Sequence, residues 1–132
     1  MRIGYHRRMS IKSSERAAAS TQGIAPGVAL FRSLADPARL AIVRRLATGE
    51  ARVAELTHDL GLAQSTVSSH VTCLRECGLV AGRMDGRRVH YSLAHPELLD
   101  MLAAAEVLLA ATGNAVALCS TYGDDAQEQD AC

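Results

Sequence analysis

From Pro26 onward, apolar residues recur at helical spacing between polar breaks. Val28, Leu30, Phe31 and Leu34 fit one face of a short helix. Asp36-Pro37 marks the next helix start, with Asp as a side-chain acceptor for first-turn N–H groups and Pro where no N–H is needed. Leu40, Ile42, Val43 and Leu46 are its apolar set, and Gly49 ends it. A short helix over Val53–Leu60 closes at Gly61, and a longer one runs from about Gln64 to Cys77 before Gly78. Two helices joined by a tight glycine-containing turn predict a helix-turn-helix. In the second, Val67, Val71 and Leu74 stand at i, i+4 and i+7 and form the buried stripe.

Leu79–Arg83 and Arg87–Leu93 then alternate around Met84-Asp85-Gly86, and Asp-Gly between alternating runs is a strong hairpin signal. With Arg83, Arg87 and Arg88 crowded around its tip, this hairpin reads as the wing of a winged helix. Pro96 opens a last helix in which Leu98, Leu99, Met101, Leu102, Val107, Leu108 and Leu109 lie among alanines, apolar on nearly every side. One small domain does not cover such a helix. A symmetric dimer does, with Leu98, Leu102 or Leu109 at the interface, and it would set two recognition helices on a palindromic operator. The expected fold is mainly α with a β-hairpin, a homodimeric winged helix-turn-helix. Residues 1–23 read as a flexible basic arm, 24–112 as the DNA-binding and dimerisation domain, and 113–132 as a C-terminal segment with an acidic tail.

At 132 residues the chain holds one domain, so any sensing shares a fold with the output. Net charge is zero, but its distribution is uneven. Arg2, Arg7, Arg8, Lys12 and Arg16 load the start; Asp124, Asp125, Glu128 and Asp130 load the end. That leaves room for a local DNA-binding surface at the wing. The apolar run from Leu98 to Ala111 is broken by Asp100 and Glu106 and is shorter than the ~20 residues of a membrane span. With no secretory signal, the expected location is cytoplasmic, without membrane association. There the four cysteines stay reduced, as metal ligands, redox thiols or core residues.

The exposed face of the second helix carries Gln64, Ser65, Thr66, Ser68, Ser69 and His70. Short hydroxyls, an amide and an imidazole suit a groove, since they are small and both donate and accept hydrogen bonds. A merely Ser/Thr-rich surface helix is the alternative, but such residues are poor helix formers and their clustering needs a reason. These six residues with Arg83, Arg87 and Arg88 are the candidate contacts to double-stranded DNA. At the end of the same helix, Cys73-Leu74-Arg75-Glu76-Cys77 puts two thiols one turn apart on one side, able to reach a single ion. The alternative is two small buried residues. Helical phase places Cys73 about 120° from the apolar stripe, with Cys77 nearer the core edge. Nothing supports an enzyme: there is no Ser-His-Asp spacing, no phosphate loop and no H-E-x-x-H, and only Glu76 is a carboxylate near the thiols.

The strings LFRSLADPARLAIVRRL and VAELTHDLGLAQSTVSSHVTCLRECGLVAGRMDGRRVHYSL resemble the ArsR/SmtB family of metal-responsive repressors, over roughly residues 28–112. The CLREC run is similar to that of the family's actinobacterial cadmium- and lead-sensing branch, which pairs two cysteines here with a third in its C-terminal region. The resemblance implies Cys73, Cys77 and Cys119 as ligands, with residues 113–132 as the ligand-bearing segment. It implies a homodimer that binds operator DNA without metal and releases it on Cd(II) or Pb(II), with Zn(II) as a further inducer. Two other sites of the family are absent: the Cys-Val-Cys stretch is Ala51-Arg52-Val53 here, and the last helix has no His after His95. Thiolate ligation favours thiophilic ions and displaces protons. An arsenite- or thiol-redox-responsive repressor would use the same cysteines. His6, His58, His90 and His95 show no ligand spacing, Cys132 reads as a spare thiol, and Ala63 is a weak N-cap for the recognition helix.

Overall fold

The computed structural model describes residue 21 and residues 23–118. Cys119, Cys132 and most of the basic arm lie outside the described residues. The chain divides into two compact units, Met1–Arg32 and Ser33–Cys132. The elements are α1 (Ala25–Leu34), α2 (Pro37–Leu46), α3 (Val53–Leu60), α4 (Gln64–Glu76), β1 (Val80–Asp85), β2 (Arg88–Leu93) and α5 (Glu97–Ala111). Mainly helical with one hairpin, it is the winged helix-turn-helix that the periodicity predicts.

The core of the second unit is assembled from the predicted stripes. Ile42, Val43 and Leu46 of α2, Leu56 of α3, and Val67, Val71 and Leu74 of α4 are buried together with Ala51 and Val80. Gly61 closes α3 in the left-handed conformation at φ 67°, and its N–H bonds the Thr57 carbonyl at 2.9 Å. That residue turns the chain from α3 into α4. At the start of α3, the Glu55 carboxylate accepts from the Arg52 backbone N–H at 2.8 Å.

β1 and β2 pair antiparallel in the register Val80↔Leu93 through Asp85↔Arg88. The loop is therefore Gly86-Arg87, not the Met84-Asp85-Gly86 turn expected from sequence, because Met84 and Asp85 are paired in β1. Gly86 has φ 67°, and no described residue other than glycine has positive φ. Glycine at the first of two loop residues is the arrangement such hairpins need. Arg87 thus forms the apex, and Arg88 the closing pair of the ladder. Ala51 extends the hairpin as an isolated bridge on the far side of β2, exchanging backbone bonds with Tyr91 at 2.9 and 2.8 Å. Across the ladder the Tyr91 ring lies over Gly82, where a Cβ would sit 3.2 Å from the ring and 3.0 Å from Val89.

One expectation needs correction. Leu98 and Leu102 of α5 are 5% and 3% exposed within the single chain, so they belong to its own core and not to a subunit interface. The large apolar side chains of α5 left exposed are Val107 and Leu108, at 72% and 65%, while Leu109, the third residue expected at the interface, is half-buried. An apolar helix with no strong polar face gives periodicity nothing to phase, so which side packs inward was set by the rest of the fold.

Asp36 caps α2 as predicted, accepting from Ala38 N at 2.8 Å and Arg39 N at 3.1 Å. The bond from the Arg39 backbone N–H is the main reason its carboxyl sits below the ordinary carboxylate range. Partial burial opposes that shift, while the Ala38 N–H, the His70 ring and the Arg39 guanidinium add to it. A lowered carboxyl stabilises the fold at pH values above the unfolded-state value, and that contribution is lost as pH falls through the folded one. Replacing Asp36 with Ala should cost about 1 kcal/mol of unfolding free energy at neutral pH. Urea unfolding across an acid pH series should show this difference shrinking below the ordinary carboxylate range.

Candidate nucleic-acid interface and thiol pair

Helix α4 presents three different sides. Its stripe is buried, whereas Gln64, Ser65 and Ser69 are exposed and Thr66 and Ser68 half-exposed. Ala63 offers no side-chain cap, so the first-turn N–H groups point outward beside these residues. Amides and hydroxyls at a helix N-terminus are the groups that meet phosphate and base edges when a helix enters the major groove.

His70, read from sequence with that polar face, is placed differently. Its Nδ1 lies 3.2 Å from Nη1 of Arg39, and its Nε2 is 3.8 Å from the Asp36 carboxylate. A guanidinium only donates, so Nδ1 is the acceptor in that bond, with Nε2 turned toward Asp36. Arg39 also reaches back through Nε to the Ser33 carbonyl at 2.6 Å. The imidazole therefore ties α4 to the start of α2. Spacing along α4 gave no signal of this, because both partners come from another helix.

The three wing arginines also differ from one another. Arg83 is bonded to Glu50, which raises the guanidinium's affinity for its proton and lowers the Glu50 carboxyl, in both cases chiefly through that one hydrogen bond. His90 stands across the ladder from Arg83, 3.8 Å from Glu50 and 3.6 Å from Asp85. Sequence reasoning found no metal-ligand spacing for His90; the fold places it between two carboxylates instead. Arg87 and Arg88 are exposed and form no ion pair among the described residues. They are the wing's uncommitted cations.

At the far end of α4 a Schellman closure fixes the cysteines. Gly78 takes φ 79°, its N–H bonds the Arg75 carbonyl at 2.9 Å, and Leu79 N bonds the Leu74 carbonyl at 2.9 Å. Cys77 is the C-cap, its N–H bonding Cys73 O at 3.1 Å. Both thiols are free; Cys73 is half-buried and Cys77 exposed. That reverses the order read from helical phase. Cys77 has left the regular helix for the capping turn, and Ser33, itself buried, stands against its sulfur at 2.8 Å. The guanidinium of Arg75, between the cysteines in sequence, lies 5.9 Å from the centre of the Tyr91 ring and so faces the wing.

The pair fits a soft metal ion in donor chemistry: two thiols one turn apart, one open to solvent. No group of three or more His, Cys, Asp or Glu able to hold an ion occurs among the described residues. Cys119, the third ligand implied by the family resemblance, lies outside them. Just before it, Leu118 N is bonded to the Glu106 carboxylate of α5 at 2.6 Å, which holds the start of the C-terminal segment beside that helix.

Comparison with known proteins agrees with this geometry. Residues 36–81, from the α2 cap through the start of β1, match the family described as "Bacterial regulatory protein, arsR family". A "Probable mercury resistance operon repressor" from Streptomyces lividans is 34% identical over 99 residues, covering 75% of this chain and 79% of that protein. The transcriptional regulator CmtR of Mycobacterium tuberculosis is 45% identical over 73 residues, 55% of this chain and 62% of CmtR. The match thus spans less than two thirds of that relative. The NMR structure of the same protein, described as a cadmium metal-sensor, superposes with a TM-score of 0.52 at 43% identity, covering 58% of this chain and 80% of that one. A homodimeric winged helix-turn-helix DNA-binding domain from Mycobacterium bovis gives a TM-score of 0.63 at 27% identity, covering 75% and 89%. These relatives are regulators, not enzymes. With helix-turn-helix, wing and closing glycine turn all in place, the chain belongs to the ArsR/SmtB family of bacterial transcriptional regulators.

Proposed function

We propose that the protein is a homodimeric repressor that binds a palindromic operator without metal and releases it when Cd(II) or Pb(II) is held by Cys73, Cys77 and Cys119. The observation that carries this reading is the position of the thiol pair at the capped end of the helix whose other end is built for the groove. An ion held there acts directly on the orientation of α4. The relatives add support: one is named a cadmium sensor and another a mercury resistance repressor, both soft-metal functions. Zn(II) also suits thiolate ligands and is a further candidate inducer; the preference for cadmium and lead rests on the family resemblance.

The DNA surface is the exposed start of α4 with Arg87 and Arg88 on phosphate. Gln64, Ser65 and Ser69 supply the exposed groove contacts, with Thr66 and Ser68 at their margin. Arg83 joins them only by leaving Glu50, and His70 acts from behind the helix. Dimerisation through the uncovered side of α5 pairs Val107 and Leu108 with a second copy.

Four measurements test these assignments. Leu108→Asp should yield a folded monomer by sedimentation, while Leu102→Asp should not fold; an intact dimer with the first change places the interface elsewhere. Arg87→Ala should weaken binding to every DNA sequence alike and flatten the log–log salt dependence by about one unit. A sequence-selective loss at unchanged slope is incompatible with phosphate contact. Cys73→Ser and Cys77→Ser should each bind a selected operator normally and fail to release it on adding Cd(II). Under strictly reducing conditions, wild type should show an ultraviolet thiolate-to-cadmium charge-transfer band. Release of the double variant at the wild-type cadmium concentration would falsify the ligand assignment.

A further inference from the structure

Ser33 is a buried polar residue, 3% exposed, and its hydroxyl oxygen lies 2.8 Å from Cys77 Sγ, across 44 residues of sequence. A hydroxyl in such a place needs hydrogen-bond partners. With Cys77 as a thiol, either group can supply the hydrogen of this contact. Once an ion has displaced the thiol proton, only the hydroxyl can supply it, because a metal-bound thiolate has no hydrogen to give.

We infer that Ser33 is the positioning residue of the metal-binding thiol pair: it donates O–H to Cys77 Sγ in the loaded state and holds that sulfur toward the ion. The inference rests on the thiol-pair reading above and deepens it. Ser33 is well fixed for the task. Its carbonyl accepts from Arg39 Nε at 2.6 Å, and another nitrogen of the same guanidinium meets His70 on α4 at 3.2 Å. Sulfur, serine, arginine and histidine form a polar chain that leaves α4 at its capped end and returns to it nearer the groove-facing half. Loading the thiols fixes the sense of the Ser33–Cys77 bond at one end of this chain. The other end holds the helix that reads DNA. Groups that orient metal ligands from behind typically change metal affinity 10–100-fold when removed.

The test is a Cd(II) titration of the full chain without DNA, against a competing chelator, read by the charge-transfer band. Ser33→Ala should weaken Cd(II) binding by about 10–100-fold. Ser33→Thr and Ser33→Val form a pair of nearly equal shape that differs by the hydroxyl, so Thr should retain tight binding and Val should lose it. In a Cys77→Ser background, removing the Ser33 hydroxyl should cause no further loss, since the sulfur it serves is gone. Wild-type affinity in the Ala and Val variants overturns the inference. So does an equal loss with and without Cys77, which would mean a general packing effect. If wild type itself gives no cadmium–thiolate band, the thiol-pair reading fails and the inference fails with it, a result distinct from a normal band that ignores Ser33.

Discussion

The fixed phase of one helix governs the rest of this structure. Val67, Val71 and Leu74 must face the core, and once they do, every other side chain of α4 has its direction assigned. Gln64, Ser65 and Ser69 are turned outward by the same rotation that turns His70 back toward α2. The Schellman turn at Gly78 then stops the helix where β1 must begin, and it leaves Cys77 in the cap. Core, groove surface and thiol site are therefore parts of one rigid rod. A displacement of the helix as a whole moves both ends together.

Zero net charge is compatible with a nucleic-acid surface because the charges are sorted by partner. Glu50 occupies Arg83, Asp59 occupies Arg45 at 2.7 Å, and Arg39 is committed to Ser33 and His70. Each of these arginines stiffens a junction between elements. At the hairpin apex, Arg87 and Arg88 are exposed without an ion pair among the described residues, which on the proposed reading frees them for phosphate. Exposed ion pairs of the Arg45–Asp59 kind are worth at most about 1 kcal/mol each. Their effect here lies more in which cations remain available than in stability.

Much of this was legible in the sequence, for a definite reason. The stripe of α4, the cap at Asp36 and the Asp-Gly region are local signals, each decided within about one turn of chain. The family strings placed the DNA-binding elements in the right order. What escaped depends on residues brought together from afar: Ser33 with Cys77, Arg83 with Glu50, His70 with Arg39, and Ala51 with Tyr91. The relative exposure of Cys73 and Cys77 came out reversed because an ideal helical wheel does not describe a capping residue. For α5, an apolar set on all sides left Leu98 and Leu102 indistinguishable from Val107 and Leu108 until the fold chose between them.

The capped end of α4 is also a favourable place for a cation on electrostatic grounds. Helix carbonyls at a C-terminus carry the negative end of the dipole, so positive charge is stabilised there. Under the proposed function, operator phosphates approach the opposite, positive end, beside the uncapped amides of Gln64 and Ser65. On the proposed reading, metal and DNA therefore engage opposite poles of one helix, and neither displaces the other by direct competition. Antagonism must instead come from orientation. An ion drawing in Cys73, Cys77 and a third ligand changes where the rod points relative to its copy in the dimer. Typical couplings of ~1–3 kcal/mol correspond to about 5–150-fold in affinity, within reach of a small tilt that spoils one half-site while the other is engaged. The polar chain from Cys77 through Ser33 and Arg39 to His70 supplies a second attachment for that tilt. It anchors α4 to the start of α2 behind the exposed side chains, so on the proposed reading a shift at the thiols is opposed there and rotation of the helix is the motion favoured over a slide along its axis.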